Sequence, residues 1–532
     1  MTIFLLPIDP STSTPVKLNA QATNVDVWNT VPNDGTAAPT GTAHLFFALP
    51  NAGDVLVLSS LGPDYAKTTG NPRRERVRVA VGSAVKKLKT LGKAIWGSSV
   101  SVDASEDPHA AAVGAHLSMY NFDLKTDPAS LYKGYRGADI TGRLSFAPLV
   151  TAKEWDDGVT YAAAQNVART LKELPANVMT PTKFAHCIVN LLHDVPNDVY
   201  EDEVTIQHKS SRIRFKQAKT SGFPNTEVHI HNEGMCFFSF AVDLRISTWI
   251  LDYRLGVQAR YGTSQPAKFV EMIYQGTDDT TMQPIVLVGE GITFDSGGIS
   301  LKPADNMKLR RGDLGGAAAV LATLVAVATM EMKVHLRVIM PLCENMPGRS
   351  ASKPGNIMYA MNGKSVEVAT TDAAGRLVLA DALWYGSTLT PKPKAVIDVA
   401  TSNGSTDKAL GGVYTGVFTN SDKLWKSLDD AGAKEHDRLW RLPLCDDFAP
   451  QITEGNADLA NTGGSSADPC TNALFLKSFV SGVDDETDPT PWAHLDIAGT
   501  MQATRAGAYQ EVGMTGRATR ALIEYVRGQA VA

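Results

Sequence analysis

The chain reads as an α/β protein: a small N-terminal α/β domain plus a larger C-terminal α/β domain with a mostly parallel central sheet covered by helices. Three observations predict this class. At 532 residues the chain is too long for one ordinary core, so two domains are expected. Hydrophobic residues make up 43% and charged residues 20%, the balance of a soluble globular protein. From Pro284 onward, buried strand-like runs alternate with helical runs, an order that winds a parallel sheet with helices on both faces.

The elements follow in chain order. Met1-Thr2-Ile3-Phe4-Leu5-Leu6-Pro7 has no basic n-region and an early proline, so it reads as a first strand and not as a signal peptide. Residues 8–42 are rich in Pro, Ser, Thr, Asn and Gly. His44–Leu49 and Asp54–Ser59 are strand-like, a helical stretch surrounds Arg76–Leu91, and an apolar stretch covers Ala110–Leu124. Together they predict an N-terminal domain over 1–150. Glu154–Leu174 has helical spacing at Tyr161, Val167 and Leu171 and stops at Pro175, which suggests a linker helix within 151–180. Residues 195–226 are charged and irregular, an insertion or a surface arm. Within the expected domain 181–532, Pro284–Gly289 reads as a strand, Asp313–Met332 as a helix and Val334–Leu342 as a strand. Arg376–Ser387 follows as a helix, then Ala395–Ala400 and Trp492–Ala498 as strands. Ligand sites in such sheets gather at the carboxyl ends of the strands.

Charge and cysteine usage narrow the function classes. A formal charge of -6 argues against a nucleic-acid surface, which needs clustered Lys and Arg. Cys187, Cys236, Cys343, Cys445 and Cys470 are scattered, odd in number and form no C-x-x-C pair, so a reducing, cytoplasmic setting is expected. Gly315–Met332 approaches membrane length, but its Ala and Gly content and the acids Asp313 and Glu331 at its ends favour a core helix, so no membrane span is expected.

Three clusters carry the chemistry. Gly289-Glu290-Gly291-Ile292-Thr293-Phe294-Asp295-Ser296-Gly297-Gly298-Ile299-Ser300-Leu301-Lys302 follows a strand and packs acids, glycines and a lysine into one loop. Glycines let backbone approach a ligand, and acids beside them can hold a hard cation; a Gly-rich turn with solvated acids is the plain alternative. Phe294 stands where a dinucleotide fingerprint needs its third glycine, there is no Gly-Lys-Ser/Thr, and Ser296 lacks a G-x-S-x-G frame. The second cluster, Arg310-Arg311-Gly312-Asp313-Leu314-Gly315-Gly316-Ala317-Ala318, opens the long apolar helix, so Asp313 could equally be its N-cap. The third, Thr370-Thr371-Asp372-Ala373-Ala374-Gly375-Arg376-Leu377, leads into another helix and leaves the same choice for Asp372. No histidine lies between His231 and His335, and His229 and His231 read as ordinary strand residues, so a metal site here would be oxygen-rich, suiting Mg²⁺, Mn²⁺ or Zn²⁺.

With these clusters, the chain resembles the leucyl aminopeptidase family of two-metal, hexameric exopeptidases from about Leu174 to the C-terminus. The resemblance also rests on Pro341-Leu342-Cys343-Glu344-Asn345-Met346-Pro347, Asn362-Gly363-Lys364, Leu377-Val378-Leu379-Ala380-Asp381-Ala382-Leu383 and Trp492-Ala493-His494-Leu495-Asp496-Ile497-Ala498-Gly499, and on Gly513–Arg527. It implies a peptidase that removes N-terminal residues from peptides, with a lysine, three aspartates and a glutamate holding two ions. Position by position, it assigns metal binding to Asp295, Asp313 and Asp372, carbonyl polarisation to Lys302, and a bicarbonate site to Arg376. Two positions depart from it: Glu290 stands at the metal-binding lysine and Ala374 at the glutamate.

The exchange conserves four carboxylates while moving one of them. Two dications about 4 Å apart repel by about 16 kcal/mol at an effective dielectric near 20, and Ala374 offers no bridging carboxylate to offset this. Either Glu290 rebuilds a modified site, or an ion is lost and activity with it, leaving Zn²⁺ or Mn²⁺ at one site or none. Arg310 stands where the family lines its side-chain pocket with an apolar residue; it either favours acidic N-terminal residues or points to solvent. The resemblance further implies a homo-hexamer built as a dimer of trimers, or a mixed hexamer with related subunits. Members with degraded sites serve as structural proteins of insect sperm tails, which makes a catalytically inactive scaffold the alternative reading.

Overall fold

The computed structural model describes residues 2–9, 24–31, 38–47, 54–122, 124, 144–192, 226–232, 262–402 and 404–531. The chain divides into two units. The first comprises residues 1–170 with the returning segments 434–436 and 502–515, and the second comprises 171–433, 437–501 and 516–532.

In the first unit, Ile3–Ile8 and Val55–Ser60 are apolar and buried almost throughout, so each needs strand partners on both edges. The five-stranded sheet runs Ala43–Phe47, Val55–Ser60, Ile3–Ile8, Ser98–Val102, Leu144–Pro148, and only the first pair is antiparallel. Helix Gly70–Lys89 begins earlier than its apolar period does, because its first turns are polar and exposed. Helix Pro108–Ser118 is started by Asp107, whose side chain accepts from Ala110 N at 2.8 Å, with proline in the first turn. The returning segment 434–436 supplies Glu435, which pairs with Arg78 at 3.1 Å, both side chains fully buried. Helix Lys153–Glu173 follows.

The second unit is built on a nine-stranded sheet. Its main path is Leu439–Arg441, Thr415–Thr419, Trp492–Asp496, Ala395–Ala400, Ile285–Gly289, His335–Asn345, Lys268–Gln275 and Thr226–Asn232. The four central and site-bearing pairings, and the edge pair Thr415–Thr419 with Leu439–Arg441, are parallel, while the antiparallel pairings join Lys268–Gln275 to its two neighbours and Thr415–Thr419 to Trp492–Asp496. Side chains alternate across the central strands. Val286, Val288, Ile339 and Val396 pack on one face with Leu377, Leu383 and Phe475, from the helices Ala374–Ser387 and Asp468–Lys477. On the other face Gly289 lies against Ala317 and Val320 of the helix Gly315–Thr329. Joined to the preceding 3-10 turns it forms a helical run, Met307–Thr329, that is long and apolar enough to cross a membrane, but its residues from Gly315 to Leu324 are buried inside the protein, as expected of a core helix.

Three local readings need correction. The stretch after Gly289 is not all loop: Gly291–Asp295 is a short strand that continues the register of Ile285–Gly289 along His335–Asn345. The apolar residues Ile292 and Phe294 give it the strand period that its glycines obscured. Asp313 is not an N-cap, because it lies inside a 3-10 segment, Met307–Leu314, and the cap position of the following helix is Leu314. Asp372 is not one either, since Ala374–Ser387 is capped by Ala373 without a side-chain bond. The charged 195–226 stretch lies outside the described residues except for Thr226.

Candidate metal centre

The carboxyl ends of the central strands bring the three clusters together. Asp295 ends the strand Gly291–Asp295, and the register shift between Cys343 and Glu344 leaves Thr293 as the extra residue just before it. Such bulges bend a strand and re-aim the side chains beyond it. Asp295 is 5% exposed. Its Oδ1 accepts from Asn345 Nδ2 at 2.7 Å and from Gly297 N at 2.9 Å, and its Oδ2 lies 3.2 Å from Lys302 Nζ. Lys302 also pairs with Asp372, whose side chain is 45% exposed. Burial opposes the Lys302 ammonium, but Asp295, Asp313 and Asp372 outweigh it and raise its pKa above the ordinary lysine value.

Asp313 is 3% exposed, and its Oδ1 has no hydrogen-bond partner. Burial, then the charge of Asp295, pushes its carboxyl up to about 8, while Lys302 and Arg310 pull the other way. Arg310 is therefore half-buried with its charge felt at Asp313. An isolated, partnerless carboxylate oxygen in an apolar setting is costly unless a cation meets it. Asp295, Asp313 and Asp372 thus have the oxygen chemistry that suits a hard divalent ion. Among the described residues, however, no three His, Cys, Asp or Glu side chains stand arranged to hold an ion. The Lys302 ammonium is the cation that Asp295 and Asp372 share.

Glu290 is turned elsewhere. It is 3% exposed, and its Oε2 accepts from Thr401 N at 2.8 Å. Its Oε1 sits against the first turn of Ala374–Ser387, where a Cβ on Gly375 would lie 1.7 Å away. Only glycine tolerates that approach, and a carboxylate at a helix N-terminus is favoured by the backbone dipoles. Burial, then Asp313, still raises the Glu290 carboxyl well above its ordinary value. Ala374, in the same turn, is fully buried and offers no ligand. Arg376 is 6% exposed; its Nη1 donates to Asn461 O at 2.7 Å, and its Nη2 lies 3.5 Å from Asp468.

Several residues that hold this site in place carry no signal of chemistry in the sequence. Asn345 Nδ2 also donates to Thr371 O at 3.0 Å, tying the Asp295 strand to the Asp372 loop. Asn461 Oδ1 accepts from Ala369 N at 2.9 Å and from Thr370 N at 3.3 Å, while its Nδ2 donates to Thr370 O at 2.7 Å. Thr371 Oγ1 donates to Gly297 O at 2.7 Å and accepts from Ser300 N at 2.8 Å. Asn345 stood inside a block that already carried the resemblance; nothing around Asn461 marked it.

Comparison with known proteins bears on the family and the fold. The model of the cytosol aminopeptidase family, catalytic domain, matches residues 248–523. The cytosol aminopeptidase of Dictyostelium discoideum is 38% identical over 493 residues, covering 89% of this chain and 85% of the relative. That of Homo sapiens is 38% identical over 503 residues, covering 92% and 84%. Among solved structures, bottromycin maturation enzyme BotP in complex with Mn superposes with a TM-score of 0.75 at 26% identity, covering 99% of each chain.

Proposed function

The chain belongs to the cytosol aminopeptidase family, and from that footing we propose that it is a metal-dependent exopeptidase whose altered site takes one divalent ion instead of two and works at much reduced rate. The observation that carries this reading is the placement of Glu290: its carboxylate is committed to Thr401 N and the turn at Gly375, while Ala374 offers nothing in exchange. Asp295, Asp313 and Asp372 would hold the remaining ion. A divalent ion bound there supplies a Lewis acid and a hydroxide-generating site at neutral pH. Lys302 lies among these acids, where its ammonium would polarise the carbonyl of the N-terminal residue, and Arg376 would hold a bicarbonate with the donors that Asn461 and Asp468 leave over. BotP was solved with Mn, which supports Mn²⁺ as the first ion to try, with Zn²⁺ second. Arg310, close to Asp313, favours an acidic side chain in the adjoining pocket. The relatives' name supports a cytoplasmic location, and the family resemblance supports a homo-hexamer or a mixed hexamer.

Metal analysis of the folded protein, paired with hydrolysis of a panel of aminoacyl-amides under Mn²⁺, Zn²⁺ or Co²⁺, tests the proposal. One ion per chain with slow turnover is expected; two tight ions, or full-rate turnover, would overturn it. The second reading, a catalytically silent scaffold, is favoured by the absence of any ready ion-holding group among the described residues and by Lys302 filling the space between two carboxylates. It requires no turnover with any of the three metals.

A further inference from the structure

Arg376 already has an anion beside it. Asp468, the first residue of the helix Asp468–Lys477, brings its Oδ1 to 3.5 Å from Arg376 Nη2. The Asp468 side chain is 23% exposed, so it stands between the buried guanidinium and solvent, while Arg376 Nη1 is committed to Asn461 O. A carboxylate in that place offsets part of the guanidinium charge and engages a donor that an incoming oxyanion would otherwise use.

The ion pair is loose, but the helix that carries it is firmly set. Ala467, just before Asp468, has φ +52°, a left-handed conformation that residues with a Cβ seldom adopt. Proline in the first helical turn stiffens the start, and Thr471 Oγ1 donates to Asp468 O at 3.1 Å. Asn472 lies four residues on, hence on the same helix face as Asp468. It is fully buried, and its amide meets His494 Nε2 at 3.3 Å. His494 is fixed in turn by Asp398, its direct neighbour on the adjoining strand, which meets Nδ1 at 2.5 Å. The other Asp398 oxygen accepts from Trp492 Nε1 at 2.8 Å, and Phe418 stacks on the imidazole. Burying Asp398, His494 and Asn472 together is costly compared with an apolar contact; in return it allows the helix one rotation against the strands.

We propose that Asp468 is the built-in anion of Arg376, a competitor that an external oxyanion such as bicarbonate must displace, and that Asn472 on His494 holds it there as a positioning residue. This chain therefore binds bicarbonate more weakly than the guanidinium alone would allow. The inference rests on the reading of Arg376 as an anion site.

The test is calorimetric titration of the full-length protein with bicarbonate, in sealed CO₂-free buffer, for the parent and for Asp468→Asn, Asn472→Ala and Arg376→Gln. Asparagine keeps the shape of Asp468 and removes its charge. Asp468→Asn should bind bicarbonate about threefold to fivefold more tightly, the change expected when one partly exposed ion pair is lost. Asn472→Ala should move the affinity in the same direction. A merely structural role for either residue would leave anion binding unchanged or weaken it. A folded Asp468→Asn that binds no more tightly than the parent would overturn the inference and leave Arg376 an anion site. Parental binding in Arg376→Gln, or no binding in both the parent and Asp468→Asn, would overturn the anion-site reading itself, and this inference with it.

Discussion

Restoring a carboxylate at position 374 should destabilise the protein before it helps the site. Ala374 is fully buried, and the carboxylate of Glu290 already presses on the next residue of the same helical turn, 1.7 Å from where a Gly375 Cβ would be. Ala374→Glu alone therefore puts two buried carboxylates side by side. When both are ionised, at a separation of about 4 Å and an effective dielectric near 20, they repel by about 4 kcal/mol, a large share of the total stability of a folded domain. Glu290→Lys in the same chain turns that repulsion into an attraction of similar size, so in a metal-free buffer the two substitutions should couple by about 8 kcal/mol. Urea unfolding of the parent, both single variants and the double variant in EDTA measures the coupling. Repeating the series with Mn²⁺ at about a hundred times Kd adds about 2.7 kcal/mol for each ion that only the folded state binds. The double variant should gain about twice what the parent gains, and its turnover of aminoacyl-amides should rise with it. An Ala374→Glu variant as stable as the parent in EDTA, or additive behaviour of the pair, would refute the placement of Glu290 against this turn.

Other expectations concern the supports of the site. Asn345→Ala leaves the buried Asp295 short of a donor and should cost about 2–3 kcal/mol, read from chemical denaturation, together with weaker Mn²⁺ binding. Asn461→Ala releases the 369–373 loop while its backbone carbonyl still meets Arg376; it should raise KM more than it lowers Tm, and a pure Tm effect would count against a role in holding the loop. His494 and Asp398 are both fully buried and paired at 2.5 Å, so His494→Gln should cost about 3–5 kcal/mol. Although burial opposes it, Asp398 raises the His494 pKa above the ordinary histidine value of 6.5. The pair's contribution is therefore complete below about pH 6.5 and fades as pH climbs through the raised folded value. The stability gap between parent and His494→Gln should shrink on going alkaline; a gap that widens would reverse the assigned charge.

How much of this was legible beforehand differs from residue to residue. The alternation of buried runs and helical runs placed the central strands within a few residues, because a strand buried on both faces must be apolar throughout and a helix on its surface must not be. Asp295, Asp313, Asp372 and Lys302 were legible as one site, since acids and glycines at strand ends are where a parallel sheet leaves room for a ligand. Position 290 announced a changed charge and position 374 a lost one. The local sequence could not tell a cap from a ligand at Asp313, because both choices place an acid before an apolar helix. Only tertiary structure decided where the Glu290 carboxylate points, since that depends on Thr401 and Gly375, more than eighty residues away. Residue type travels with the chain and is read locally; the field acting on a buried charge is the sum over groups that only folding brings close.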